Sequence, residues 1–175
     1  MVNKFIIIGN SNTGKSAVLD KILEDTGYRP IGFRMKDFQI ENEFRGYYIH
    51  SILEVEGFHN NLPIQTSLLK RKKRIQLSEV YDTFGVQCLK DVLSKDKDEY
   101  DCIVLDELGR GEYTSKEFSK YVNKILDSDN KVFILMKNTP NEVTTEIRKR
   151  RDILIYDLDN MSQDEVILNI EDKLK

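Results

Sequence analysis

Residues 9–16 read Gly9-Asn10-Ser11-Asn12-Thr13-Gly14-Lys15-Ser16, with glycines at the first and sixth positions followed by a lysine and a hydroxyl side chain. This is the P-loop pattern, and each residue type in it has a physical reason. Glycine lets the backbone turn through conformations closed to other residues, so successive N–H groups can point inward as an anion nest at a helix N-terminus. The helix dipole adds positive potential there, and the nest is suited to the α and β phosphates of a nucleotide. Lys15 is a compact charge for the β and γ phosphates, and the Ser16 hydroxyl is a ligand for Mg²⁺. Gly9, Asn10, Ser11, Asn12, Thr13, Gly14, Lys15 and Ser16 are therefore the expected nucleotide-binding residues. A magnesium ion held this way needs a second carboxylate from a neighbouring strand. The run Cys102-Ile-Val-Leu-Asp106-Glu107 offers one at a strand's carboxyl end, where parallel sheets bind ligands. Asp106 is expected to hold the metal through water, and Glu107 to orient or deprotonate an attacking water. Alone, such a run is a weak signal that can also be only a strand end with solvated charges; the matched P-loop upstream favours the functional reading.

These groups must be positioned by elements. Lys4-Phe-Ile-Ile-Ile is apolar on both faces and stops at Gly9, the pattern of a buried, central parallel strand. After the loop, Ala17, Val18, Leu19, Ile22 and Leu23 recur with helical spacing until Gly27. Gly32-Phe-Arg-Met begins a second extended segment, and Phe38–Ile40 with Phe44–Ile52 reads as a hairpin insertion. Residues 54–77 have no clear period and leave strand or loop open. From Ser78 the pattern alternates: a helix through Val86–Leu93, strand Cys102–Asp106, a helix through Ser115–Leu126, strand Lys131–Met136, a helix from Asn141, strand Ile153–Tyr156, and a last helix capped by Ser162. Such alternation implies right-handed crossovers and a mostly parallel sheet with helices on both faces. The expected fold is an α/β three-layer P-loop sandwich with a β-hairpin insertion, one domain over residues 1–175.

Composition narrows the function classes. The 27 Lys and Arg against 30 Asp and Glu leave a net charge of −3, which offers no global attraction to nucleic acid or an anionic membrane. The longest early apolar run, Phe5–Ile8, is far shorter than the roughly 20 residues of a membrane span, and no signal peptide can be written. The expected place of work is the cytoplasm. Cys88 and Cys102 form neither a C-x-x-C motif nor a zinc knuckle and read as buried reduced thiols.

Four segments resemble the THEP1 family of nucleoside-triphosphatases, small P-loop proteins built like nucleotide kinases. They are Gly9 to Ser16; Gly32-Phe-Arg34; Gly46-Tyr-Tyr-Ile-His-Ser; and Leu105-Asp-Glu-Leu-Gly109-Arg110-Gly-Glu112, with Glu146-Ile-Arg-Lys-Arg-Arg-Asp also similar. The likeness spans nearly the whole chain, and the Asp-Glu-x-Gly-basic-x-Glu segment is its family-specific part. It implies Mg²⁺-dependent hydrolysis of nucleoside triphosphates to diphosphates with loose base selectivity. It also implies that Leu105, Asp106, Glu107, Leu108 and Gly109 line the nucleotide site. Two departures concern charge. Arg110-Gly111 stands where the family usually has Lys-Met, and Met136-Lys137-Asn138 where a His and Arg pair is common.

Phosphoryl transfer spreads charge over the γ-phosphate oxygens, so a cation beyond Lys15 is expected. The candidates are Arg110, Arg34, Lys137 and Arg148, with Arg110 favoured because Gly109 permits a tight turn over the site. Arg148–Arg151 also read as a solvated helix end. Lys70, Arg71, Lys72, Lys73 and Arg74 form a basic run that is either solvated or an RNA patch, although no aromatic residue beside it could stack on bases. His50 and His59 lack partners at metal-ligand spacing. Tyr47, Tyr48, Phe33 and Phe38 either stack on a base or pack the sheet. No guanine-reading Asn-Lys-x-Asp occurs. The reading that results is a base-tolerant NTPase using Lys15, Glu107 and Arg110. The alternatives are a nucleotide or small-molecule kinase on the same fold and an NTP-binding, RNA-associated regulatory module. Oligomeric state is left open.

Overall fold

In the computed structural model, which describes residues 2–67, 74–108, 115–139 and 142–175, the first strand is β1 (Lys4–Gly9), buried along its whole length. It leads through the loop into α1 (Lys15–Thr26), which ends on Gly27 in the left-handed conformation. Four strands follow: β2 (Pro30–Ile40), β3 (Glu43–Ser51), β4 (Asn61–Ser67) and β5 (Arg74–Gln76). A π-helical turn at Tyr81–Gly85 continues as α2 (Val86–Ser94). Then come β6 (Cys102–Leu108), α3 (Lys116–Asp127), β7 (Val132–Lys137), α4 (Glu142–Arg148), β8 (Ile153–Asp157) and α5 (Gln163–Leu174).

The strands form one sheet in the order β5-β4-β3-β2-β6-β7-β1-β8. The run β2-β6-β7-β1-β8 is parallel, and β3, β4 and β5 add an antiparallel meander beyond β2. Alternation along β1 decides the layers. Phe5 and Ile7 pack with Val18, Leu19 and Ile22 of α1 and Val166 and Ile170 of α5, while Ile6 and Ile8 face the core that holds Leu89 of α2 and Phe118 and Val122 of α3. A strand buried on both faces has to be apolar at every position, which is why its sequence shows no alternation.

Two expectations are corrected here. β1 is covered on both faces, but it lies one strand from the edge strand β8 rather than at the centre. The strand that carries Asp106 is not its neighbour either, because β7 lies between β1 and β6. Residues 54–77 hold two strands that periodicity missed. β4 carries Pro63, and β5 is only three residues long, too short to show a period of two.

The hairpin has a particular reach. β2 pairs with β6 only from Pro30 to Phe33, and from there to Ile40 it pairs only with β3, so the two strands overhang the carboxyl edge of the parallel sheet. They turn at Glu41 and Asn42, which have φ of 54° and 61°, as a two-residue hairpin requires. At the seam, Gly32 has φ 109°, and a Cβ there would lie 2.2 Å from the Val104 carbonyl oxygen of β6. Only glycine fits, which accounts for the residue that opens the Gly32-Phe-Arg34 segment.

Candidate active site

Gly9 ends β1 level with Lys137 of β7, and Ile8 is level with Asp157 of β8. The loop therefore leaves the sheet at its carboxyl edge. It turns through Asn12 (φ 67°) and Gly14 (φ 89°), both left-handed, before α1 begins at Lys15. The start of α1 differs from those of the other 12-residue helices. Ser115 Oγ accepts from Phe118 N–H at 3.0 Å on α3, and Ser162 Oγ from Glu165 N–H at 3.2 Å on α5, each with acids in the first turn. α1 has no side-chain cap and no acid in its first turn. Its orphan N–H groups and the positive end of its dipole are left for an external anion.

The loop is held by groups that sequence reasoning missed. Asn10 N–H donates to Asp159 Oδ1 at 3.0 Å, and Asn138 Nδ2 donates to the other oxygen of Asp159 at 2.9 Å. Gln163 Nε2 donates to the Thr13 carbonyl at 3.1 Å, and Thr13 Oγ1 to the Asn10 carbonyl at 3.0 Å. The Asn10 and Asn138 N–H donors hold Asp159 below the usual carboxylate range. Nothing in the spacing of Asp159 or Gln163 marks them; they reach the loop because β8 lies beside β1 in the sheet.

Lys15 is 6% exposed, and its Nζ donates to the Gly9 and Asn10 carbonyls at 3.0 and 2.8 Å. Burial lowers its pKa, with nearby Glu107 opposing that shift. Across the cleft, β6 bulges. Leu105 is level with Ile134 of β7 and Leu108 with Met136, so the partner strand advances two residues while β6 advances three. The bulge carries Asp106 and Glu107, with Glu107 in the left-handed region at φ 56°. Bulges re-aim side chains, and a left-handed non-glycine residue beside a cleft is a recognised form of stored strain at functional sites. Asp106 is 3% exposed, and its Oδ2 accepts from Met35 N–H at 3.1 Å, an amide that β2 no longer gives to the β6 ladder. Burial pushes the Asp106 carboxyl up to about 6, against the Met35 N–H and the charge of Arg34.

A cleft of about 410 Å³ joins these groups. Ser11, Asn12, Gly14, Lys15, Ser16 and Ala17 line it from the loop and the start of α1, Asp106 and Glu107 from β6, and Met35, Asp37, Phe44 and Tyr47 from the hairpin. Among the described residues, no group of three or more His, Cys, Asp or Glu could hold a metal. Ser16 and the buried Asp106 both line this cleft, a hydroxyl and a desolvated carboxylate of the hard-oxygen kind that Mg²⁺ takes when phosphates and water supply the rest.

Other expected residues resolve differently. Gly109 and Arg110 lie outside the described residues, as do Lys70, Arg71, Lys72 and Lys73, whereas Arg74 begins β5. Leu105 and Leu108 are buried at 0% and 1% exposure in the core rather than lining the cleft, so they can meet a nucleotide only through their backbone. Arg34 is tied to Asp20 of α1 at 2.7 Å. Lys137 stands level with Gly9 and acts on Lys15 through its charge. Arg148 is not part of a solvated end: its Nη2 donates to the Lys137 carbonyl at 3.0 Å, fixing the end of β7. Arg150 is likewise paired, with Asp127 and Asp152. Of the four aromatics considered for stacking, Tyr47 reaches the cleft and Phe33 is core; Phe44, not considered, also lines it. His50 Nδ1 is 2.6 Å from Asn61 Oδ1 across β3 and β4. Cys88 and Cys102 are free and buried, their thiols pushed up to about 11 and about 12 by burial. No helix among the described residues is long and apolar enough to cross a membrane.

The sequence model of the family described as NTPase matches residues 4–171. The nucleoside-triphosphatase THEP1 of Thermotoga sp. (strain RQ2) is 25% identical over 175 residues, covering 98% of this chain and 95% of that protein. The nucleoside-triphosphatase THEP1 of Methanothermobacter thermautotrophicus is 27% identical with the same coverage. The crystal structure of THEP1 from Aquifex aeolicus superposes with a TM-score of 0.71 at 24% identity, over 95% of this chain and 96% of that one, a likeness of fold. With the family pattern matched from β1 into α5 and the P-loop facing the Asp106-Glu107 bulge, the chain belongs to the THEP1-type NTPase family.

Proposed function

We propose that residues 1–175 act as one domain that hydrolyses ATP, GTP and other nucleoside triphosphates to the diphosphate and phosphate, with Mg²⁺. The observation that carries this reading is the uncapped, acid-free start of α1 facing Asp106 and Glu107 across one cleft. The loop amides and the α1 dipole bind the β-phosphate region. Lys15 exchanges its two carbonyl acceptors in the loop for β and γ oxygens, a charge-assisted replacement that releases the Gly9 and Asn10 carbonyls. Ser16 and Asp106 would hold Mg²⁺, which when bound neutralises charge on the β and γ oxygens. Glu107 positions a water in line with the γ-phosphorus and takes its proton. Arg110 or Lys137 meets the remaining γ charge. The bond from the γ-phosphorus to the bridging oxygen breaks, and the diphosphate leaves.

Phosphate release from ATP and from GTP, measured with and without Mg²⁺, tests this directly. Lys15→Ala and Glu107→Gln should each lower kcat by about 100-fold or more. Wild-type rates in both variants would remove the assignment.

A further inference from the structure

Hydrolysis leaves one wall of the cleft without a task. Besides the P-loop, Asp106 and Glu107, the cleft is lined by the overhanging hairpin through Asp37, Phe44 and Tyr47. The whole cleft holds about 410 Å³, the size of a small-molecule site, and the hairpin wall is the part of it that the P-loop, Asp106 and Glu107 do not line. The wall is also chemically specific. Phe44 is 43% exposed, and its ring meets that of Tyr47 edge to face at 5.0 Å. Asp37 stands opposite Tyr47 in the β2–β3 register and makes no ion pair or side-chain hydrogen bond among the described residues. An exposed aromatic ring beside an uncommitted carboxylate fits a flat ring that bears N–H donors.

We propose that this wall is a second-substrate site for a hydroxyl-bearing molecule with a flat, N–H-rich ring, a nucleoside being the simplest, and that the protein transfers the γ-phosphoryl group to it. The inference rests on the reading of the P-loop as the triphosphate seat. The ring lies on Phe44 and Tyr47, and its N–H groups donate to Asp37. The hydroxyl oxygen then forms the new bond to the γ-phosphorus as the bond to the bridging oxygen breaks. The hydroxyl proton passes to Glu107 and on to solvent, leaving a nucleoside diphosphate and a phosphate monoester. Water takes the same path when no acceptor is present.

The test uses the full chain with Mg²⁺ and ATP carrying a radioactive γ-phosphate. Adenosine, guanosine, cytidine and thymidine are each supplied at millimolar concentration, and glycerol and benzyl alcohol serve as hydroxyl controls without an N–H-rich ring. Label should enter the monophosphate of at least one nucleoside and neither control. Asp37→Asn and Phe44→Ala should each cut that transfer about tenfold or more relative to the same variant's acceptor-free hydrolysis. If wild type hydrolyses ATP but every nucleoside leaves all label in inorganic phosphate, the second-substrate site is wrong and the hydrolase reading stands. If the two variants instead raise KM for ATP and GTP unequally, the wall seats the donor's own base and the proposal is equally wrong. If wild type releases no phosphate under any condition, both readings fall together.

Discussion

Asp106 shows how a single residue can be set against the fold that holds it. Its carboxyl is almost fully buried with one N–H donor from Met35, and burial pushes its pKa up to about 6. An unfolded aspartate titrates near 3.9, so the folded state binds the proton more tightly than the unfolded one. Stability is therefore lost as pH rises from about 4 to about 6 and stays lower above that range. Removing the charge reverses the effect. Without metal or nucleotide, Asp106→Asn should stabilise the protein at pH 8 by up to about 2 to 3 kcal/mol, since a pKa unit is worth about 1.4 kcal/mol. The gain should vanish below about pH 4, and thermal melts of both proteins across pH check it. A gain that persists unchanged into acid would mean that burial of charge is not the cause. The same substitution removes a proposed Mg²⁺ ligand, so the variant should be more stable and less active together, the trade expected where function requires an awkward group.

At the scale of elements, the start of α1 and the β2–β6 seam make opposite demands. α1 forgoes the cap and first-turn acids that α3 and α5 possess, which leaves its N-terminus electropositive. Ala17→Glu should restore the missing favourable charge–dipole contact, worth about 0.3 to 1 kcal/mol in the free protein. It should also repel phosphate, so melting temperature holds or rises while nucleotide affinity falls by about tenfold or more. Titration of a fluorescent nucleotide beside a thermal melt reads both, and undiminished affinity would place the phosphates elsewhere. The seam is a steric matter. Gly32→Ala sets a Cβ against the Val104 carbonyl at 2.2 Å in a left-handed conformation, where neither backbone can yield cheaply. Its cost should be about 3 kcal/mol or more. Gly27→Ala shares the positive φ but meets nothing within 4 Å, so its cost should be only about 1 to 2 kcal/mol. Denaturant midpoints of the two variants separate clash from conformational strain, and equal losses would contradict the argument.

For the molecule as a whole, a net charge of −3 gives no long-range pull on a tetra-anionic ligand, so recognition has to be local to the cleft. Ligand-linked stability follows from that arrangement. A non-hydrolysable ATP analogue with Mg²⁺ at about 100 times its Kd should stabilise the fold by about 2.7 kcal/mol, or about 5 to 10 °C in Tm for a chain of this size. Scanning fluorimetry checks this, and the shift should be largely lost in Lys15→Ala. Much of this was legible before any coordinates. The Gly9–Ser16 spacing, the unbroken apolar run before it and the helical run after it are local patterns, and β1, the loop and α1 appear where those patterns put them. Gly27 and Ser162 ended and began helices as their residue types require. The meander was illegible, because an antiparallel strand with a proline and a three-residue strand carry too little period to stand out.

By itself, then, the sequence determined the α/β sheet and the expectation of which residues would grip phosphate and metal, since both follow from residue type and near-neighbour spacing. Tertiary structure decided what depends on contacts between distant residues. It inserted β7 between β1 and β6, bulged β6 so that Glu107 turns into the cleft, and brought Asp159 and Gln163 to the loop from about 150 positions away. It also carried Asp37 and Phe44 over the carboxyl edge, because β2 outruns its pairing with β6. None of these has a local signal, since each is set by which strand pairs with which across the sheet.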